Sequence, residues 1–197
     1  MSDAVLSLRG VTKRFGGLVA VNSIDFQVRS GQVLGLIGPN GSGKSTTLNL
    51  ISGALPLTAG EISLRGTPIS GLRADKIAKR GISRTFQLVR LLPSMNVEQN
   101  IIAGAVFGHR RRWGHAAQSE AARLAERVGL GGKGHMAIGQ LTYIDTKRVE
   151  LARALASDPK VLLLDEWLLR IAKSRIAVLG LEHLLREVLL ALLRLDE

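Results

Sequence analysis

Short apolar runs separated by glycine and polar residues open the chain. "VLSLRGVTKRF" and "LVAVNSIDFQV" follow one another across Gly16 and Gly17, which predicts an antiparallel ribbon over residues 4–28. "QVLGLIG" (residues 32–38) is nearly all apolar, the pattern of a short buried parallel strand. A glycine-rich turn follows, then a helix over residues 44–52. "EISLRG" (61–66) returns to strand character, "LRADKIAKRG" reads as a short helix closed by Gly81, and "ISRTFQ" (82–87) is a further strand.

From residue 97 to 128 the pattern becomes helical, through "VEQNIIAGAVFG" and the alanine-rich "AAQSEAARLAERVG". Residues 129–134 form a loop, residues 146–156 a helix stopped by "SDP", and "KVLLLDE" a strong buried strand. Strands, then helices, then a strand predict an α/β core with a helical insertion near the middle. No internal repeat and no low-complexity linker interrupts it.

Composition narrows the classes. The chain has 197 residues, 46% of them hydrophobic, which fits one folded domain with its own core. It contains no cysteine, so disulfides and thiolate metal sites are excluded and a cytosolic setting is expected. "MSDAVLSLRG" lacks a basic region followed by an apolar run and does not read as a signal peptide. No apolar segment approaches the roughly 18–20 residues needed to span a bilayer.

The formal charge of +11, from 27 Lys and Arg against 16 Asp and Glu, favours anionic partners: nucleotides, nucleic acid or an anionic membrane surface. The densest cluster, "GHRRRWGH" (108–115), reads as an exposed basic loop, with membrane, partner or nucleic-acid contact as alternatives. Aromatics at 4% leave few platforms for stacking bases.

The chemistry is concentrated in "GPNGSGKST", which fits G-x-x-x-x-G-K-[ST] with Gly38, Gly43, Lys44 and Ser45 in register. Gly38, Gly41 and Gly43 let the backbone turn so that N–H groups face phosphate oxygens, with Pro39, Asn40, Ser42 and Thr46 completing the loop. The helix that begins near Lys44 adds its positive dipole end. Lys44 supplies a cation for the β- and γ-phosphates, and the Ser45 hydroxyl is suited to Mg²⁺. "VLLLDE" is the natural partner. Asp165, ending an apolar strand, can hold Mg²⁺ through water, and Glu166 can act on the attacking water as a general base.

Together these motifs resemble the ATP-binding subunits of ABC transporters, over about residues 6–166. "KRFGGLVAVNSIDFQV" is similar to that family's entry ribbon, which makes Phe15 the residue stacked on adenine; the alternative is a phenylalanine of the ribbon core. "RTFQ" resembles the segment whose glutamine, here Gln87, reaches Mg²⁺ and couples to the membrane subunit. "RTFQLVRLLPSMNVEQNIIAG" and "RVELARALASDPKVLLLDE" resemble subunits of branched-chain amino acid importers.

The resemblance implies an α/β P-loop NTPase domain of ABC type, with antiparallel β-ribbon and helical insertion. Residues 1–197 form one such domain, with a core of about 1–90 and 157–197 and a helical subdomain over 91–156. ATP and Mg²⁺ are the implied cofactors. The implied partners are membrane permease subunits, a second ATP-binding subunit (identical or different) and, indirectly, a solute-binding protein. The implied location is cytoplasmic, peripheral on the inner face of the membrane.

In the resembled family a signature turn, commonly Leu-Ser-Gly-Gly-Gln, grips the partner subunit's ATP. The matching stretch is "LTYIDTKR", which assigns Leu141, Thr142 and Tyr143 to that turn. Thr142 can replace the serine at a helix start. Ile144 stands in place of a glycine and Asp145 brings a negative charge near a phosphate, whereas Lys147 and Arg148 match a variant form. A working variant turn and a lost contact both remain open.

After Glu166 the family continues with Pro or a small apolar residue and a glycine-containing loop, and "WLLRIAKSR" has neither. "RIAVLGLEHLLREV" resembles the strand that carries a γ-phosphate-sensing histidine, here His183. Yet nine residues, 167–175, separate it from the previous strand, fewer than the dozen or so of a parallel crossover. A helical stripe through Leu181, Leu184, Leu185, Val188, Leu189 and Leu192 is the alternative. The functional expectation is an ATP-hydrolysing subunit energising import of branched-chain or related small amino-acid-like solutes. The rivals are a degenerate subunit that hydrolyses little and a soluble P-loop ATPase acting on nucleic acid.

Overall fold

The computed structural model describes residues 4–86 and 88–165, in two compact units that meet in sequence between Ile77 and Ala78. In the first unit β1 (Ala4–Phe15) and β2 (Leu18–Arg29) pair antiparallel, as the alternating runs predict. β3 (Ala59–Leu64) lies on the other side of β1, and β4 (Thr67–Pro68) beyond it, giving the order β2-β1-β3-β4. With a neighbour on each side, β1 buries Val5, Leu6, Leu8 and Val11, whereas the edge strand β2 buries only Val21. The β1–β2 register slips between Leu8 and Val11, where the Gly10 N–H donates to the Asp25 carboxylate at 2.8 Å. Such bulges sharpen the twist of a ribbon. α1 (Lys44–Ile51) lies against β2 and buries Leu50 and Ile51. α2 (Ala74–Lys79) buries Ile77 and is followed by the expected stop at Gly81, with φ 104.

One sequence reading is corrected here. Residues 32–38 form no strand, and Ile37 is 98% exposed with Val33 and Leu34 also open to solvent. A buried parallel strand exists through its neighbours' hydrogen bonds and the layers covering both its faces. This run has no strand partner among the described residues.

In the second unit β5 (Ile82–Arg84) and β6 (Val161–Leu163) pair in parallel, with Ile82 opposite Val161 and Arg84 opposite Leu163. β5 is shorter than expected, because the backbone at Phe86 turns to side-chain partners instead of the sheet. Three helices, α3 (Val97–Phe107), α4 (Gly114–Arg127) and α5 (Tyr143–Ala156), contact one another pairwise and account for the predicted helical insertion.

α3 starts with a capping box in which the Asn96 side chain accepts from the Gln99 N–H and the Gln99 side chain from the Asn96 N–H. The fully buried Asn100 amide donates to the carbonyls of Leu92, Met95 and Asn96 and accepts from the Leu92 N–H, fixing the approach to this helix. α3 approaches α5 at Gly104 and Gly108. A Cβ on Gly104 would stand 2.1 Å from the Arg153 carbonyl, and one on Gly108 2.3 Å from the Ser157 Cα.

The basic loop is largely exposed, as expected, but two of its arginines are paired. Arg110 and Arg112 both pair with Asp158, at 2.9 and 3.6 Å, while Trp113 stays 65% exposed. Among the described residues no helix is long and apolar enough to cross a membrane.

Candidate nucleotide site

The phosphate loop takes the conformation its glycines predict. Gly41 and Gly43 have φ of 83 and 86, the left-handed region that only glycine enters freely. Gly43 is also sterically required: a Cβ there would lie 2.5 Å from the Ala20 carbonyl of β2. At Gly38 a Cβ would meet the Ser42 Oγ at 2.5 Å, so the loop closes tightly on itself.

Gly43 is the N-cap of α1 and supplies no side-chain cap, and no acidic residue stands in the first turn. The helix therefore presents its first N–H groups and positive dipole end without an internal anion. Lys44 sits over the loop, its Nζ donating to the carbonyls of Gly38 and Pro39 at 2.7 Å each. Residues 38–42 and Ser45 are exposed, while Thr47 is buried with its hydroxyl donating to the Gly43 carbonyl at 3.0 Å. This uncapped, glycine-built cradle with a lysine above it fits a polyphosphate. Phe15, at the ribbon's turn, is 46% exposed with Lys13 Nζ 4.9 Å from its ring centroid, so it is not a core phenylalanine.

In the second unit, Asp165 lies two residues beyond the end of β6. Its carboxylate accepts from the Arg84 guanidinium at 2.7 Å, with both side chains under a tenth exposed. Its N–H donates to the Thr85 hydroxyl at 3.4 Å, and the Thr85 N–H donates to the Leu163 carbonyl at 3.0 Å. Asp165 thus has a cationic partner on the neighbouring strand in a place largely closed to water. Taken singly, the Asp165 carboxylate in this unit and the Ser45 hydroxyl in the first are each an oxygen donor of the kind Mg²⁺ accepts. Among the described residues no cluster of three His, Cys, Asp or Glu side chains is present.

The stretch "LTYIDTKR" is resolved into a capped helix start. α5 begins at Tyr143, three residues before the expected boundary, and Thr142 is its N-cap, accepting from the Asp145 N–H at 3.1 Å. Thr142 and Tyr143 are exposed and Leu141 is half-buried. Asp145, expected to bring its charge toward a phosphate, is instead buried. It accepts from Lys133 at 2.8 Å and from Arg148 at 3.4 Å. Burial pushes its carboxyl up, but Lys133, the Thr142 hydroxyl and Arg148 outweigh that and hold it below the usual carboxylate range. Ile144 occupies the first turn, where a glycine was the family expectation.

Gln87, Glu166 and His183 lie outside the described residues, as do the alternatives for the stretch that follows Glu166. Arg84, Lys133 and Glu150 are partners that the sequence reading did not single out. Only the Lys147–Glu150 spacing, three apart on one helix, offered a local signal.

Comparison with known proteins adds the lineage. The ABC transporter family profile matches residues 21–169. BraF of Pseudomonas aeruginosa, a high-affinity branched-chain amino acid transport ATP-binding protein, is 38% identical over 182 residues, covering 84% of this chain and 70% of that protein. LivG of Escherichia coli, which bears the same description, is 37% identical over 179 residues with the same coverage. Among solved structures, the MJ1267 ATP-binding cassette of an ABC transporter superposes with a TM-score of 0.83 at 28% identity, covering 98% of this chain and 79% of that one. With a phosphate loop leading into α1 and, later in the chain, a strand followed by Asp165, the chain belongs to the ABC transporter family of ATP-binding, ATP-hydrolysing domains.

Proposed function

We propose that this chain energises import of branched-chain or related small amino-acid-like solutes. The observation that carries the reading is the uncapped phosphate loop with Lys44 seated on it, in a chain whose relatives are described as branched-chain amino acid transport ATP-binding proteins. In this reading the backbone of Gly38, Pro39, Asn40, Gly41, Ser42, Gly43 and Thr46 wraps the phosphates, and Lys44 exchanges its loop carbonyls for phosphate oxygens. Phe15 stacks on adenine. Ser45, Gln87 and Asp165 hold Mg²⁺, which supplies charge neutralisation of the phosphates. Glu166 takes a proton from the attacking water.

Leu141, Thr142 and Tyr143 face the ATP of a second subunit, identical or different, and His183 senses the γ-phosphate. Membrane permease subunits are the direct partners, a solute-binding protein an indirect one, and the inner face of the membrane the place of work. The exposed Thr142 at a helix N-terminus supports the signature role, and the inward turn of Asp145 removes the charge that would oppose it. The nucleic-acid reading is weakened by the Arg110 and Arg112 pairing with Asp158.

Equilibrium ATP binding and phosphate release by the purified chain test the reading. Lys44→Ala is expected to lose ATP binding, and Glu166→Gln to keep binding but lose turnover. Unchanged ATP affinity in Lys44→Ala refutes the site. Unchanged turnover in Glu166→Gln refutes the assigned base, and very slow release by the unsubstituted chain with intact binding favours the degenerate subunit.

A further inference from the structure

We propose that Lys147 and Glu150 form a positioning pair that ties the helix bearing the signature turn to the segment joining Asp165 and Gln87. The two side chains are buried on α5, 3% and 1% exposed, with Lys147 Nζ 3.3 Å from Glu150 Oε2. A buried ion pair is often no more stabilising than well-packed apolar residues of the same volume, so the bonds this pair makes beyond itself carry the argument. Two further bonds of the pair point to Phe86. The Lys147 ammonium donates to the Phe86 carbonyl at 2.8 Å, and the Phe86 N–H donates to Glu150 Oε1 at 3.0 Å.

Phe86 lies two residues beyond the end of β5, where the chain has left the sheet and its backbone groups need partners. α5 provides both. The two preceding residues hold Asp165: Arg84 through its carboxylate at 2.7 Å and Thr85 through its N–H at 3.4 Å. Three successive residues, Arg84, Thr85 and Phe86, therefore bond to the end of β6 at one end and to α5 at the other. The Phe86 ring is also flanked by the guanidinium groups of Arg84 and Arg90, 5.2 and 4.8 Å from its centroid, which limits sideways give.

Thr142 caps the same helix. Any displacement of α5 that follows engagement of its N-terminus is delivered at Phe86, next to Gln87 in sequence and one bonded segment from Asp165. Neither Lys147 nor Glu150 is assigned contact with nucleotide; they act through the segment they hold. The inference rests on the reading of Asp165 and Gln87 as metal-site residues.

The test uses the full chain carrying Lys147→Met together with Glu150→Leu, which keeps volume and removes the buried charges. Thermal melting is expected to fall by several degrees, because the Phe86 N–H and carbonyl lose both partners, with ATP affinity in the absence of Mg²⁺ unchanged. The Mg²⁺ concentration for half-maximal turnover is expected to rise about tenfold, as for loss of groups that orient metal ligands, with kcat reduced and the KM for ATP little altered. Adding Gln87→Ala to this pair is expected to cost less than it costs alone, because both act on one unit.

An unchanged Mg²⁺ requirement, or fully independent losses, overturns the inference. If Gln87→Ala alone leaves turnover and Mg²⁺ dependence intact, the assignment of Gln87 fails first and the inference with it. Should the double variant not fold, hydrogen exchange at the Phe86 amide decides. Glu150→Ala is expected to speed it about tenfold and Glu150→Gln, which keeps an acceptor, to restore protection. Equal protection in all three proteins overturns the clamp.

Discussion

Asp145 shows how a residue's chemistry depends on which way it faces. By sequence it is a negative charge in a turn expected to meet a phosphate. In the structure its side chain is 6% exposed and shared between Lys133 and Arg148. Because its folded carboxyl is held below the ordinary value, its contribution to stability is fully present above the unfolded carboxyl's pKa of about 4 and is lost as pH falls through the folded one. Asp145→Asn is therefore expected to lower unfolding free energy by about 1–3 kcal/mol near neutral pH. Urea unfolding at several pH values should show the gap to the unsubstituted protein closing below about pH 4. A gap independent of pH would show that shape, not charge, is what the site needs.

At the scale of elements, the ribbon, α1 and the helices were legible because their signals are local. Alternating runs across two glycines, a lysine after a glycine-rich turn, and the helical patterning of "VEQNIIAGAVFG" each act within a few residues. The start of α5 was misread by three residues because the motif expected a glycine turn. Thr142 instead caps a helix that Ile144 and Asp145 continue. The close approach of α3 and α5 was not legible either, since Gly104 and Gly108 carry no signal of what lies opposite. The Arg153 backbone carbonyl cannot yield as a flexible side chain would. Gly104→Val is expected to destabilise by about 1–3 kcal/mol or more through overpacking. Denaturant midpoints measure this, and a neutral result would mean that the two helices can separate without cost.

At the scale of the whole molecule, each subunit of the proposed assembly supplies a phosphate loop to its own ATP and Thr142 to its partner's. Specific ATPase activity of the purified chain is then expected to rise with protein concentration by mass action. A constant value over about two decades of concentration would place the complete catalytic set in a single chain. The signature-like departures leave this outcome sensitive to Thr142 itself.

The sequence alone determined the phosphate-loop motif, the ribbon, the helices and the family resemblance, because spacing, glycine tolerance and helical period are properties of nearby residues. Only the tertiary structure decided that residues 32–38 stay open, that Asp145 faces inward, and that Arg84 and Glu150 hold Asp165 and Phe86. Those bonds join residues 81 and 64 positions apart. Their energies depend on burial and on partners that no local pattern names, since a charge or a backbone group is satisfied by whatever the fold brings within reach.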